Sequence, residues 1–213
     1  MTQASSAAAR RPAAPSRPRS PACRGGASVS ALTSSWEGSG ALLSNGACYD
    51  WGYNAAGQLG NGSTTNSAVL VRVKLPAAVR QVFQGGSCPT NGQTIAILKN
   101  GSTWTWGDTE LGQLGDGTTA SSDVPVHVKV PAGVTLVNVN SGGYACEAID
   151  RSGRLWAWGG NQNGQLGTHS RLRIETRPVD VGIQLTQVSS TASNVAGFKR
   201  RSGLAASRDR REH

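Results

Sequence analysis

Three turns of one pattern hold the residues in this 213-residue chain that could do chemistry. They are Gly57-Gln58-Leu59-Gly60, Gly112-Gln113-Leu114-Gly115 and Gly164-Gln165-Leu166-Gly167. A glycine-rich turn can cradle a phosphate on its backbone N–H groups. Here the lysine of a nucleotide-binding loop is missing and no helix start follows. A motif present three times points to geometry rather than to a site.

The other reactive side chains do not form a constellation. Asp108, Glu110 and Asp116 gather around the second turn. The matching positions are Tyr53, Ala55 and Asn61 in the first unit, and Gly160, Gln162 and Thr168 in the third. The three acids therefore read as a solvated loop, with contact to a cation or a basic partner on one rim as the functional alternative. His127, His169 and His213 are isolated, and Asp123 four residues before His127 reads as an unrelated surface group. Cysteines 23, 48, 88 and 146 form no C-x-x-C pair, and no histidine stands at zinc-ligand spacing. No catalytic residue, cofactor or metal is expected. Cys88 and Cys146 each follow a Gly-Gly pair, so a disulfide between them stands beside the reading of buried free thiols.

The elements that place these turns repeat with them. Each turn closes a longer string, W-G-x-N-x-x-G-Q-L-G, opened by Trp51-Gly52, Trp106-Gly107 and Trp158-Gly159. The tryptophans lie 55 and 52 residues apart, a period typical of propeller blades and solenoid units. Each is preceded at five residues by the glycine of a tight turn: Gly46, Gly101 or Gly153. Short β-rich runs lie between, at 40–43, 47–51, 69–75 and 79–84 in the first unit. Runs at 126–130 and 135–140 follow in the second, and at 178–181 and 185–189 in the third. Four antiparallel strands per unit, twelve in all, compose a propeller blade. The fold class is all-β. The glycines one and six residues after each Trp suit positive φ or close backbone approach. Each Trp is expected to supply large buried area, and each Leu to fill the space between blades. Each Gln is expected to bond backbone of the adjoining blade.

Charge separates the body from the ends. The net charge is +9, yet residues 27–198 hold ten Lys/Arg against ten Asp/Glu. Residues 1–26 hold five Arg and no acid, and residues 199–213 hold six Lys/Arg and two acids. A folded nucleic-acid domain shows its basic patch on the body. Any nucleic-acid binding here is therefore expected to be weak, non-specific and confined to the tails. A chain shortened to 27–198 should lose DNA affinity in a salt-dependent binding assay; undiminished binding would place the contact on the body. The Ala/Pro/Arg-rich start, 1–27, reads as disordered. It lacks a signal-peptide apolar core, and no run is long enough to span a membrane. Cytoplasmic is the default expectation, with no membrane partner.

The string, its x-N-G or x-S-G turn and the upstream Gly85-Gly86 and Gly142-Gly143 resemble the regulator-of-chromosome-condensation (RCC) repeat family. The resemblance covers about 38–190 and suggests a bacterial-type member. It implies a seven-bladed propeller with roughly 50-residue blades. The units read as 38–86, 87–143 and 144–190 inside a repeat region 28–190. Residues 191–213 read as a degenerate fourth unit and basic tail. There Gly203 opens a fourth hairpin, but Arg208 stands where Trp is due. Truncation is favoured over a cap, so three blades and a remnant are expected to form an open arc prone to self-association. The first functional expectation is a non-enzymatic scaffold binding a protein through propeller loops. The alternatives are guanine-nucleotide exchange on a small GTPase, as the family implies, and a fragment without independent activity. Extra residues between Gly86 and Ile95 give exchange thin support.

Overall fold

The computed structural model describes residues 26–36, 38–86 and 92–185, plus the backbone of two later strands. All its regular structure is β. The first sheet runs β1 (Val29–Ser34), β2 (Gly38–Leu43), β3 (Cys48–Gly52) and β4 (Ser67–Arg72). The second runs β5 (Val79–Gly85), β6 (Gln93–Leu98), β7 (Thr103–Gly107) and β8 (Ser122–His127). The third runs β9 (Leu136–Ser141), β10 (Ala145–Asp150), β11 (Arg154–Gly160) and β12 (Ile174–Gln184). Every pairing is antiparallel between sequence neighbours. A final hairpin pairs β13 (Gln187–Ser190) with β14 (Val195–Phe198).

The sheets are framed one strand earlier than the units read from the sequence. β5 was grouped with the first unit, but it opens the second sheet, and β9 likewise opens the third. A repeat period carries no phase, because every strand-to-strand turn recurs once per period. Strand β1, which the sequence did not single out, completes the first sheet. β12 is longer than the expected run at 178–181, and the run at 185–189 contributes to β13. The hairpin glycines behave as expected, with φ of 84° at Gly46, 87° at Gly101 and 85° at Gly153.

The core lies between sheets. One cluster joins Leu42, Cys48 and Val73 of the first blade to Val79, Val82, Ala96, Leu98 and Trp106 of the second. A matching cluster joins Ile95, Ile97 and Val128 to Leu136, Val139, Cys146, Ala148, Trp156 and Trp158. Each blade thus buries a trailing face against the leading face of the next. An arc of such blades stays stable because every internal sheet is covered on both faces. Circular dichroism should show a β-dominated spectrum; a helix-dominated one would contradict this architecture.

Candidate functional site

The repeated turn is a socket for the next blade. The indole N–H of Trp106 donates to the Gln58 carbonyl at 3.0 Å, and that of Trp158 donates to the Gln113 carbonyl at 2.8 Å. Both indoles are fully buried. The last glycine of the turn makes the seat. A Cβ on Gly60 would lie 2.7 Å from Trp106 Cδ1, and one on Gly115 would lie 2.7 Å from Trp158 Nε1. The first glycine meets the outer strand of the next blade: Gly57 abuts Asp123 in β8, and Gly112 abuts Thr176 in β12. Two residues past each turn, Gly62 donates its N–H to the Asp123 carbonyl and Gly117 to the Thr176 carbonyl, both at 2.8 Å. Gly52, Gly107 and Gly159 all take positive φ directly after the Trp. At Gly107 and Gly159 a side chain would strike the backbone of Gly92 or Tyr144.

The glutamine closes its own turn, and at Gln113 it also makes the expected bond to the next blade. Gln58 Oε1 accepts the Ala56 N–H, Gln113 Oε1 the Leu111 N–H and Gln165 Oε1 the Asn163 N–H. The amide oxygen therefore closes its own turn. Of the three side chains, Gln113 also reaches the next blade, where Nε2 donates to the Gly143 carbonyl at 3.3 Å. Leu59, Leu114 and Leu166 are buried, but Leu166 packs with Ala145, Ala157 and Val181 of its own sheet. Adjacent blades are joined by the Gln carbonyl and the incoming Trp, by the Gly62 and Gly117 N–H groups, and at Gln113 by the side-chain amide as well.

The fourth residue of the string is a tie that sequence reading passed over. Asn54 Oδ1 accepts the Leu59 N–H at 2.8 Å, and Nδ2 donates to the carbonyls of Ser63 and Thr65. Asn161 repeats this with Leu166, Ser170 and Leu172. The second unit has Thr109 instead, whose Oγ1 accepts the Leu114 N–H at 3.0 Å. The neighbouring Asp108 adds different bonds. Its Oδ1 accepts the Thr109 N–H and the Ser121 hydroxyl, and the residue is 4% exposed. Asp116 Oδ1 accepts the Thr118 N–H and hydroxyl, while Glu110 lies exposed. The three acids thus form no joint site: two hold their own loops and one faces water. Asn54→Ala would strand a buried N–H and two carbonyls, so a loss of about 1–3 kcal/mol is expected by thermal unfolding.

One buried carboxyl has no counterpart in the sequence reading, and one thiol is buried and free as that reading allows. Asp50, one residue before Trp51, is fully buried and receives Gln84 Nε2 at 3.0 Å. Burial pushes its carboxyl up to about 8, the Trp106 hydrogen bond pulling partly back. Asp50 Oδ2, Gln84 Oε1 and Thr33 Oγ1 are buried without a partner among the described residues. The Cys146 thiol, between Ser141, Gln93 and the Gln113 carbonyl, is pushed up to about 12 by burial and is no nucleophile at neutral pH. Cys88 lies outside the described residues. At the third hairpin, Asp150 is held well below the usual carboxylate range; although desolvation opposes this, bonds from Ser152, Trp156 and Arg154 prevail. Among the described residues no group of three or more His, Cys, Asp or Glu could hold a metal ion. No helix there is long and apolar enough to cross a membrane.

Three successive four-stranded sheets, joined face to face by a Trp seated on the preceding turn, define a β-propeller repeat protein with an unclosed ring. The family model described as "Regulator of chromosome condensation (RCC1) repeat" matches residues 45–88, 100–149 and 152–196. The chain belongs to the RCC1 repeat family. It is 30% identical over 148 residues to the human E3 ubiquitin-protein ligase HERC2, covering 68% of this chain and 3% of HERC2. It is 32% identical over 143 residues to the mitochondrial RCC1 domain-containing protein RUG3 of Arabidopsis thaliana, covering 66% of this chain and 31% of RUG3. Among solved structures, yeast RCC1 (Prp20) bound by Kap60 superposes with a TM-score of 0.67 at 16% identity, covering 78% of this chain and 40% of that one. The chain thus spans well under half the length of these relatives.

Proposed function

We propose that this chain is a non-catalytic scaffold that binds a protein partner through the loops on one rim of its blades. The observation that carries this is the division of labour inside the repeated string. Its recurring residues are consumed in closing turns and seating tryptophans. Among the positions that change from blade to blade, Ala55, Glu110 and Gln162 are exposed in all three. Equivalent turns of successive blades share a rim, so these positions form one surface of varying chemistry. Acidic Glu110 stands on the second blade, and exposed Arg171 and Arg173 follow the third turn. Such a surface recognises by pattern, without a reactive group.

The test is in-cell crosslinking of the full chain and of a Glu110→Ala/Arg171→Ala/Arg173→Ala variant. The expected result is a partner lost by the variant at unchanged melting temperature. A partner retained in full by the variant would place the contact elsewhere. Guanine-nucleotide exchange makes a different prediction: catalysed nucleotide release from a small GTPase. A chain that accelerates release would replace the scaffold reading with exchange.

A further inference from the structure

Among the described residues, the two ends of the arc are the same interface left open. In the covered blades, the first strand seals against the preceding blade: Val79 and Val82 are 2% and 7% exposed, and Leu136 and Val139 are 1% and 2% exposed. Register places Val29 with Val79, and Leu32 with Val82 and Val139. Val29 faces Leu43 as Val79 faces Leu98, and Leu32 faces Ala41 as Val82 faces Ala96 and Val139 faces Ala148. Yet Val29 is 50% exposed and Leu32 73%. Trp51, the counterpart of the fully buried Trp106 and Trp158, is half-buried. Among the described residues, nothing covers the leading face of the first blade.

At the other end the step continues into the β13–β14 hairpin. β5 lies beside β1, β9 beside β5 and β13 beside β9. The β13–β14 hairpin thus takes the place of the first two strands of a further blade. Strands β1 (VSALTS), β13 (QVSS) and β14 (VAGF) carry no charged residue. A free strand edge is ordinarily blunted by charge or proline, and these sequences carry neither. The third turn is open as well. Gly164 and Gly167 are exposed where Gly57, Gly60, Gly112 and Gly115 are buried, and a Cβ on Gly164 would meet nothing within 4 Å.

We infer that two copies of this chain associate head to tail, the leading face of β1 on one copy, with Val29 and Leu32, covering the β13–β14 hairpin of the other. Two described steps of the same geometry say what covers such a face, and its uncharged strands say that burying it costs no charge desolvation. The contact is heterologous, so it propagates to a ring or to a short open chain. It is separate from the loop rim, so either reading can fail alone.

The experiment is multi-angle light scattering of the full chain across a concentration series, with far-ultraviolet dichroism as the folding control. The wild type is expected to rise above 22.0 kDa with concentration. Leu32→Asp, at an exposed position that spares the fold, should weaken association by about tenfold to a hundredfold, the worth of one buried leucine. Leu32→Val should retain it, since valine fills this place in both covered blades. Val69→Asp, on the exposed outer strand β4, should leave it unchanged. A wild type that stays monomeric throughout would overturn the inference, as would association that survives Leu32→Asp or is abolished by Val69→Asp.

Discussion

Trp106→Ala is expected to lower the folding stability by about 3–5 kcal/mol, the range for truncating a fully buried large aromatic. Three losses coincide at this position. The indole leaves the cluster that joins the first two blades. Its N–H no longer satisfies the Gln58 carbonyl. The seat shaped by Gly60 is left as a cavity that the surrounding backbone cannot fill. Glu110→Ala, at an exposed side chain in the same loop, should shift stability by less than about 0.5 kcal/mol. Urea midpoints of the two variants measure the contrast; equal midpoints would show that the indole is not holding the blades together. The glycines give a companion test. Gly57→Ala and Gly164→Ala both force alanine into positive φ, at about 1–2 kcal/mol each. Only Gly57→Ala also drives a methyl into Asp123 of the next blade, so it should be the more destabilising by about 1–3 kcal/mol.

Stability should fall as pH rises from about 4 to about 8, and Asp50→Asn should remove that slope. Asp50 has its carboxyl raised from 3.8 to about 8 in the fold. A raised acid binds its proton more tightly when folded than when unfolded. Its contribution is therefore complete below about 4, is lost progressively as pH rises, and is gone above about 8. Over that window one group changes stability by about 1.4 kcal/mol per pH unit. The cause is burial in the interface between the first two blades, where Gln84 is the neighbouring polar group. Asparagine keeps the shape and never ionises. At pH 8 the variant should be more stable than the wild type, and at pH 4 the two should lie close together. Thermal unfolding at a series of pH values checks this; parallel profiles for both proteins would show that Asp50 does not titrate in the fold.

The fold class was legible in the sequence because its markers are local. The x-N-G turn needs positive φ at Gly46 and Gly101, and x-S-G needs it at Gly153, whatever surrounds them. The tryptophan follows at five residues because one strand fits between. These constraints act within ten residues, so they survive as text repeated three times. Blade phase was not legible, since a period is unchanged by where counting starts. The Gln113 side chain reaches backbone of the next blade as expected, but the seat of the tryptophan was not legible, for a related reason. Composition shows an amide that needs partners, but here the group that reaches the next tryptophan is the backbone carbonyl, which is the same in every residue. Asp108 reads as a solvated loop residue, with a partner contact as the alternative, whereas it is buried and holds the Thr109 N–H and the Ser121 hydroxyl.

What the sequence determined by itself is the unit: its strands, its turns, its family, and the placement of the charge in the tails. What the tertiary structure alone decided is which surfaces are spent and which are open. Leu32, Val82 and Val139 are apolar residues at one register of equivalent strands, and nothing in their own letters distinguishes them. The presence of a preceding blade does: Val82 and Val139 have one and are buried, whereas Leu32 has none among the described residues and is 73% exposed. Burial is set by a neighbour some 50 residues away in sequence, and the same holds for Asp50, whose proton affinity follows from the sheet that closes over it.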